Sequence, residues 1–345
     1  MKEEAALATG EVVEVAPDVL RVQLPINFTG LGHTNMYVLE DDDGACVIDT
    51  GLPGRSSWSA LRSGLASIGI PMNRIHTILI THSHPDHFGN AARLSSESGA
   101  DIVTHRAFQV WWTPDSHTPD PIDRDEADRH AQANAGRMPW HGSSARPSMR
   151  LRVRGWWMRN FAHRMFPTPT PDNRVEDGAQ LSLGGRELTA IHTPGHTADH
   201  LCWHEPASGV LFCGDHVLPT ITPHIAGIGA GPDPLADYMA SLSKTAELGD
   251  VGVVLPAHGG PIADLASRTK SILDHHEERL ENLRGIVRSR GPMSVEDLSR
   301  ELFPKGRWGF MAESETFAHL EHLRFLGEAV RRESGARIVF EMVSE

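Results

Sequence analysis

A run of seven residues, Thr81-His82-Ser83-His84-Pro85-Asp86-His87, carries four side chains that can bind a metal ion. It directly follows the apolar, β-branched run at 75–80, which predicts a buried strand. We expect the loop after this strand to lead into a helix from about residue 87 to 98. The density of imidazole and carboxylate groups indicates a cation site at the end of a strand.

Other predicted strands also end at a His or an Asp. Asp49 follows the strand at 46–48, and His196, Asp215 and His258 follow later strands. Taken singly, each would be read as a loop residue that hydrogen-bonds or caps a turn. Because ligands at successive strand ends can converge on one edge of a sheet, the repetition favours a shared site. Alternation of these strands with helical patterns indicates a layered α/β fold.

Composition limits the classes of function. The chain has 345 residues and a net charge of −13, so it repels nucleic acid and anionic membranes unless basic charge is gathered locally. Its start lacks an apolar core of signal-peptide length, and no stretch approaches the roughly 20 apolar residues of a membrane span. We therefore expect a cytoplasmic protein. Cys46, Cys202 and Cys213 lie within apolar runs and are expected to be free and buried.

Residues 106–172 depart from the strand and helix rhythm. Their first part is acidic, whereas the segment 137–166 contains seven arginines, several tryptophans and no acid. We interpret the stretch as a partly helical insertion that could form a lid over a site. A helix that packs its aromatic side on the core and solvates its arginines explains the pattern equally well. An interfacial membrane helix is a third alternative.

The C-terminal residues 263–345 have a different character. They predict a long polar helix to Arg290, short helices capped at Ser294 and Ser314, and a β-hairpin over 330–343 that turns at Ser334-Gly335. Two helices and a two-stranded wing indicate a winged-helix module. We therefore divide the chain into a catalytic domain, residues 1–262, and a winged-helix domain, residues 263–345.

The ordered motifs resemble the metallo-β-lactamase superfamily, with a glyoxalase II-like or β-lactamase-like core. They are His82-x-His84-x-Asp86-His87, Pro194-Gly195-His196, Gly214-Asp215 and Ala257-His258-Gly259, with Asp49-Thr50-Gly51 and Thr34-Asn35-Met36-Tyr37 in support. The resemblance covers about residues 12–262 except the insertion. It implies an α/β fold, a four-layer αββα sandwich, and a tail similar to the winged-helix appendage of some members.

The resemblance also implies a dinuclear metal centre. The first ion would be held by His82, His84 and His196, the second by Asp86, His87 and His258, and Asp215 would bridge them. Imidazole and carboxylate ligands suit two Zn²⁺ ions, although they also accept iron or manganese. Asp49 would hold a ligand in place.

The remaining histidines are weaker candidates. His216 follows Asp215 and could be a catalytic proton donor to a leaving group, or a packing residue. His33, His200 and His224 are candidates of the same kind, with His200 as a support for the His196 loop. We expect the C-terminal histidines to be solvent-exposed helix residues; these are His275, His276, His319 and His322.

The predicted function is a dinuclear metal-dependent hydrolase in which a metal-bridging hydroxide, oriented by Asp86, attacks a small acyl substrate. The substrate would be a thioester, ester or lactone, and the arginine-rich insertion would meet an anionic moiety of it. The acidic chain, which lacks the long additional domain of larger nucleases, favours this small-molecule substrate. The tail is interpreted as a packing module or as the interface of a homodimer.

Two other functions are consistent with parts of the sequence. The tail and the basic insertion would suit a phosphodiesterase or endoribonuclease acting on single-stranded RNA. Alternatively, the winged helix would read DNA while the core senses a metal or another ligand. The predicted helix at 314–327 argues against both, because it is flanked and occupied by glutamates and has Arg324 as its only strong base.

Overall fold

The computed structural model describes residues 2–28, 30–110, 138–142 and 149–343. Its strands, β1 to β15 in chain order, are Val12–Ala16, Val19–Phe28, Leu31–Asp41, Gly44–Ile48, Ile75–Leu79, Asp101–His105, Asn173–Val175, Gln180–Leu183, Arg186–His192, Leu201–Glu205, Val210–Gly214, Val253–Pro256, Met293–Ser294, Ala329–Ser334 and Arg337–Met342. The described α-helices are Arg55–Ser67, Pro85–Phe88, Ala91–Ser98, Met149–Met165, Pro234–Ala246, Leu265–Arg290, Val295–Leu302 and Phe310–Phe325. Short 3₁₀ helices lie at Glu3–Ala5, Met72–Arg74 and Lys305–Arg307.

Two sheets form the centre of the molecule. One has the order β1-β2-β3-β4-β5-β6-β7 and the other β12-β11-β10-β9-β8. The first sheet is antiparallel from β1 to β4 and parallel from β4 to β7. Because β4, β5 and β6 are parallel, the loops that follow β4 and β5, with Asp49 and residues 81–87, lie at the same edge.

The alternation of side chains along each strand builds the layers. In β4, Cys46 and Ile48 pack between the two sheets, whereas Ala45 and Val47 pack under the helices of the outer face. This is the period of two that an extended strand imposes. Helices Arg55–Ser67 and Ala91–Ser98 supply that outer core, through Trp58, Leu61 and Leu94 among others.

The second sheet follows the same rule with other helices. Val210 and Phe212 of β11 face the first sheet, while Leu211 and Cys213 face a core that includes Leu235 and Leu242 of helix Pro234–Ala246. The layers are therefore helix, sheet, sheet and helix. As expected, all three cysteines are buried and free.

The C-terminal residues join this same outer core. Phe317 and Leu320 of helix Phe310–Phe325 pack in one cluster with Tyr238 and Trp140. A third sheet, of order β13-β15-β14, completes this part of the chain, and its hairpin turns near Gly335 as predicted. The assignment of a winged-helix domain at 263–345, and the boundary at residue 262, stay predictions.

Several local predictions need correction. Ser294 caps a helix as expected, through a 3.2 Å bond from the Asp297 amide. Ser314 does not begin a helix, because the helix already starts at Phe310 after Gly309. The predicted exposure of the C-terminal histidines is also wrong: His276 and His319 are fully buried and face each other.

The predicted insertion at 106–172 is described only in part, and residues 111–137 and 143–148 lie outside the described residues. Helix Met149–Met165 leaves Trp156 54% and Trp157 41% exposed. These exposures do not support the alternative in which the aromatic side packs on the core. No helix in the described ranges combines the length and apolar character of a bilayer span.

Candidate metal centre

Four donor atoms converge from three separate loops. His82 Nε2 lies 2.9 Å from His84 Nδ1, and His196 Nε2 lies 3.1 Å from the same atom. Asp215 Oδ2 is 3.5 Å from His196 Nε2. Ligands of a tetrahedral Zn²⁺ ion, at about 2.0 to 2.1 Å from the metal, would stand about 3.3 Å apart. The observed separations are those of donors arranged around one small cation.

The outer nitrogens of these rings hydrogen-bond to the protein. His82 Nδ1 is 3.0 Å from Thr81 Oγ1, and His196 Nδ1 donates to the backbone oxygen of His224 at 2.8 Å. Burial lowers the pKa of His84 to about 3 and holds the pKa of His82 and His196 below the usual value. The three imidazoles are therefore neutral at neutral pH, which is the form that binds metal.

Asp86, His87 and His258 form a second group within reach of one ion. His87 Nδ1 lies 2.7 Å from Asp49 Oδ2, and His258 Nδ1 donates to the backbone oxygen of His33 at 2.6 Å. Both Nε2 atoms therefore point inward, 3.7 Å from Asp86 Oδ2. The carboxylate of Asp49 and the carbonyl of His33 orient these rings from behind.

Asp215 lies between the two groups. Its Oδ2 faces His196 at 3.5 Å and His87 at 3.7 Å, and its Oδ1 is 3.2 Å from His258 Nε2. The backbone amide of Asp215 donates to His200 Nε2 at 3.1 Å. Burial alone would raise the pKa of Asp215, but the neighbouring His258 and His87 outweigh it and hold the pKa well below the usual value.

These residues fit divalent ions because polar atoms at the centre lack partners. His87 Nε2, His258 Nε2 and Asp215 Oδ1 are buried and have no hydrogen bond to any described residue, and the approach of His258 to Asp215 does not have hydrogen-bond geometry. Unpaired buried polar atoms cost about 1 to 3 kcal/mol each. Burial lowers the pKa of His87, but Asp49, Asp86 and Asp215 raise it well above its usual value. Positive charge is therefore favoured here, and a cation would supply it.

Backbone strain accompanies the site at Asp49. This residue has a φ of 60°, in the left-handed region that non-glycine residues rarely occupy. Its carboxylate accepts hydrogen bonds from the Thr81 amide at 2.9 Å and from Thr81 Oγ1. The conformation thus links the end of β4 to the ligand loop after β5.

The weaker histidine candidates take supporting positions. His200 Nδ1 is 2.8 Å from Thr193 Oγ1, so the ring joins the His196 loop to Asp215 as expected. His33 accepts from the Gly259 amide at 3.0 Å and braces the His258 loop.

His216 is fully buried, with Nε2 3.0 Å from Thr245 Oγ1, and burial lowers its pKa to about 3. These contacts favour the packing alternative for His216 over the proton donor.

Asp199 is a buried residue that the sequence pattern did not single out. Its Oδ1 accepts from Ser83 Oγ at 3.0 Å, which ties the His196 loop to the ligand run at 82–87. Burial raises the pKa of Asp199 to about 6. Its position three residues after His196 was the available signal, but a single Asp in a loop is too common to be informative.

Comparisons with known proteins agree with this geometry. A model of the metallo-beta-lactamase superfamily matches residues 29–258, more than half of the chain. The probable metallo-hydrolase YqjP of Bacillus subtilis (strain 168) is 24% identical over 314 residues, covering 89% of this chain and 92% of that protein. An atrochrysone carboxyl ACP thioesterase of Aspergillus fumigatus is 26% identical over 249 residues, covering 72% of this chain and 58% of that protein.

Solved structures extend the likeness to nearly the whole chain. A metallo-beta-lactamase family protein from Thermus thermophilus superposes with a TM-score of 0.71 at 26% identity, covering 96% of this chain and all of that one. A beta-lactamase domain protein from Burkholderia ambifaria gives 0.76 at 25% identity, covering 98% and 95%. The predicted α/β metallo-β-lactamase fold is confirmed. The chain belongs to the metallo-beta-lactamase superfamily and, as predicted, is a hydrolase of that superfamily.

Proposed function

We propose that this chain is a dinuclear metal-dependent hydrolase that uses a metal-bridging hydroxide on a small acyl substrate, namely a thioester, ester or lactone. The observation that carries the proposal is the position of Asp215, whose carboxylate faces both donor groups. Oδ2 is 3.5 Å from His196 and Oδ1 is 3.2 Å from His258. A carboxylate placed in this way can be shared by two cations.

Two divalent ions at these donors would supply a hydroxide at neutral pH and polarise the acyl carbonyl. The protein residues hold and orient the reactants. Asp86, with its side chain 13% exposed, lies at the solvent side of the buried donors and would orient the attacking water. Water adds to the carbonyl carbon, the bond from that carbon to sulfur or oxygen breaks, and the proton leaves with the thiol or alcohol.

The similarity to a thioesterase supports an acyl substrate. Helix Met149–Met165 exposes Met149, Val153 and Trp156, and its sequence includes five arginines and no acid. This helix would receive an anionic portion of the substrate, consistent with the predicted lid.

The combined change Arg150→Glu, Arg152→Glu and Arg154→Glu should raise KM for anionic substrates and not for neutral ones. Arg62→Glu, on helix Arg55–Ser67, is the control; an unchanged KM for anionic substrates contradicts this assignment.

The structure gives little support to the alternative in which the C-terminal part binds DNA as a regulator. In helix Phe310–Phe325, Ala312, Ser314 and residues 316–323 are buried, so most of the helix surface is unavailable to a groove. The endoribonuclease alternative is tested in the same assays with single-stranded RNA and bis-p-nitrophenyl phosphate.

The decisive experiment is metal analysis followed by a substrate screen. We expect two ions per chain, with zinc as the resident metal, and hydrolysis of a thioester, ester or lactone. Asp86→Ala should abolish turnover, whereas Asp101→Ala, an exposed Asp at the start of β6, should not. Turnover that survives in Asp86→Ala contradicts the mechanism. A homodimer and a cytoplasmic location stay predictions, and sedimentation of the full chain tests the first.

A further inference from the structure

The loop at residues 219–233, here called the His224 loop, contacts the metal centre through its backbone. The carbonyl oxygen of His224 accepts the Nδ1 proton of His196 at 2.8 Å. This bond sets the tautomer of His196 and directs Nε2 towards His84 and Asp215. The placement of His196 therefore depends on the placement of the His224 loop.

The C-terminal helix Phe310–Phe325 holds this loop at several points. Glu315 Oε2 accepts from the ring of His224, with 3.2 Å between Oε2 and Nδ1. Ser314 Oγ accepts from the Gly227 amide at 3.1 Å. At the end of the loop, His322 Nδ1 is 2.9 Å from Asp233 Oδ2. One helix thus fastens the loop along its length.

Glu315 is itself fixed in place and charged. Its carboxylate pairs with Arg279 of helix Leu265–Arg290, and its side chain is only 13% exposed. Burial raises its pKa, but the His224 and Arg279 contacts outweigh this and lower the pKa to about 2. Because the Arg279 guanidinium holds the Glu315 carboxylate in place, that carboxylate is a rigid acceptor for the His224 ring.

We propose that Glu315 is a positioning residue for the metal ligand His196, acting through the ring and then the backbone carbonyl of His224. The C-terminal part of the chain thereby completes the donor group His82, His84 and His196 without touching it. The inference rests on the proposed two-ion centre. It predicts that loss of Glu315 weakens the binding of one ion and not of the other. The group Asp86, His87 and His258 is held by Asp49 and His33 instead.

The test measures metal binding by the full chain, with no substrate present. Metal-free protein is titrated with Zn²⁺ by calorimetry and with Co²⁺ by visible absorption, which reports ligand geometry. Glu315→Ala should weaken the affinity for one of the two ions by roughly 10- to 100-fold, shift its Co²⁺ band, and leave the other ion unchanged. Glu328→Gln is the control. Glu328 lies just after helix Phe310–Phe325 and pairs with Arg284 of helix Leu265–Arg290, and among the described residues it has no hydrogen bond to the His224 loop.

A second variant removes the same contact from the side of the His224 loop. His224→Ala removes the ring but keeps the carbonyl that His196 uses, so it should reproduce the selective loss even if Glu315→Ala does not fold. Equal weakening of both ions, or no weakening in a folded Glu315→Ala protein, overturns the inference. A wild-type chain that binds fewer than two ions contradicts the proposed centre itself. Two bound ions without hydrolysis of any acyl substrate contradict only the proposed substrate.

Discussion

The carboxylate of Asp49 lies 2.7 Å from Nδ1 of His87, so the opposite nitrogen of that ring faces Asp86 and Asp215. Both residues of this pair are buried. The pair joins the end of β4 to the ligand run after β5. The carboxylate keeps the proton on Nδ1, which leaves Nε2 free to bind a cation.

Replacement of Asp49 should therefore weaken metal binding without removing a ligand. In Asp49→Asn an amide NH₂ turned towards Nδ1 would favour the tautomer with the proton on Nε2, which cannot bind metal. We expect roughly 10- to 100-fold weaker binding of one ion by calorimetry. Asp41→Asn is the matched control. Asp41 Oδ2 lies 2.8 Å from His76 Nε2, and this pair is not part of the metal centre. Equal metal binding by both variants contradicts the assigned role.

Removal of metal should lower the stability of the fold. In the part of the chain that the structure describes, the buried atoms His87 Nε2, His258 Nε2 and Asp215 Oδ1 have no hydrogen bond to replace a lost cation. At a free Zn²⁺ concentration 100 times Kd, each site adds about 2.7 kcal/mol to the free energy of unfolding. Tm should fall after chelation and recover with Zn²⁺. An unchanged Tm after verified metal removal would contradict the assignment of these atoms.

The buried pair His276 and His319 should make the fold sensitive to mild acid. His319 Nδ1 donates to the Glu315 carbonyl at 2.7 Å, and its Nε2 lies 3.0 Å from His276 Nδ1. Burial lowers the pKa of His319 to about 4 and that of His276 to about 2. Glu315 opposes this shift, whereas Arg279 adds to it.

The sign of the pH effect follows from these lowered values. Unfolded histidines titrate near pH 6.5, so the unfolded state binds protons that the folded state excludes. Stability is complete above pH 6.5 and declines as pH falls, by about 2 kcal/mol at pH 5 for His319 alone. Urea unfolding at pH 7.5 and pH 5.0 measures this loss. His319→Gln should have a smaller loss, and an equal loss would exclude His319 as its source.

The N-terminal 3₁₀ helix should stabilise the His224 loop through Glu4. This glutamate is fully buried and accepts from the amides of Thr220 at 2.7 Å and Ile221 at 3.1 Å. Glu4→Ala leaves these amides without their acceptor and should reduce the free energy of unfolding by about 1 to 3 kcal/mol. Glu3→Ala is the control, since Glu3 is exposed and its side chain accepts one hydrogen bond among the described residues, from the Gly260 amide. Equal urea midpoints for the two variants contradict this account.

Much of the candidate centre was predictable because its ligands obey local rules. His82, His84, Asp86 and His87 lie within six residues directly after β5, and the other candidate ligands each follow a strand rich in apolar residues. The alternation of Cys46 and Val47 between two cores likewise follows from the period of two of an extended strand. Such features depend on neighbours a few positions apart, and the sequence displays those directly.

The C-terminal histidines were mispredicted for a physical reason. His276 and His319 lie on helices rich in charged residues, and imidazole suits solvent and interior alike. The two histidines are 43 residues apart in the chain, and they are buried because the helices that carry them pack face to face. Helical periodicity alone does not reveal which partner covers a polar face.

The sequence by itself predicted the candidate ligand set, and it determined the α/β layering and the hydrolase class, because these follow from residue type and spacing. Only the tertiary structure decided how the ligands are held. The acceptor for His196 is the carbonyl of His224, 28 positions away, and the support for that loop is Glu315, a further 91 positions along. A backbone carbonyl has no sequence signature, and long-range contacts of this kind arise only when separate elements pack together.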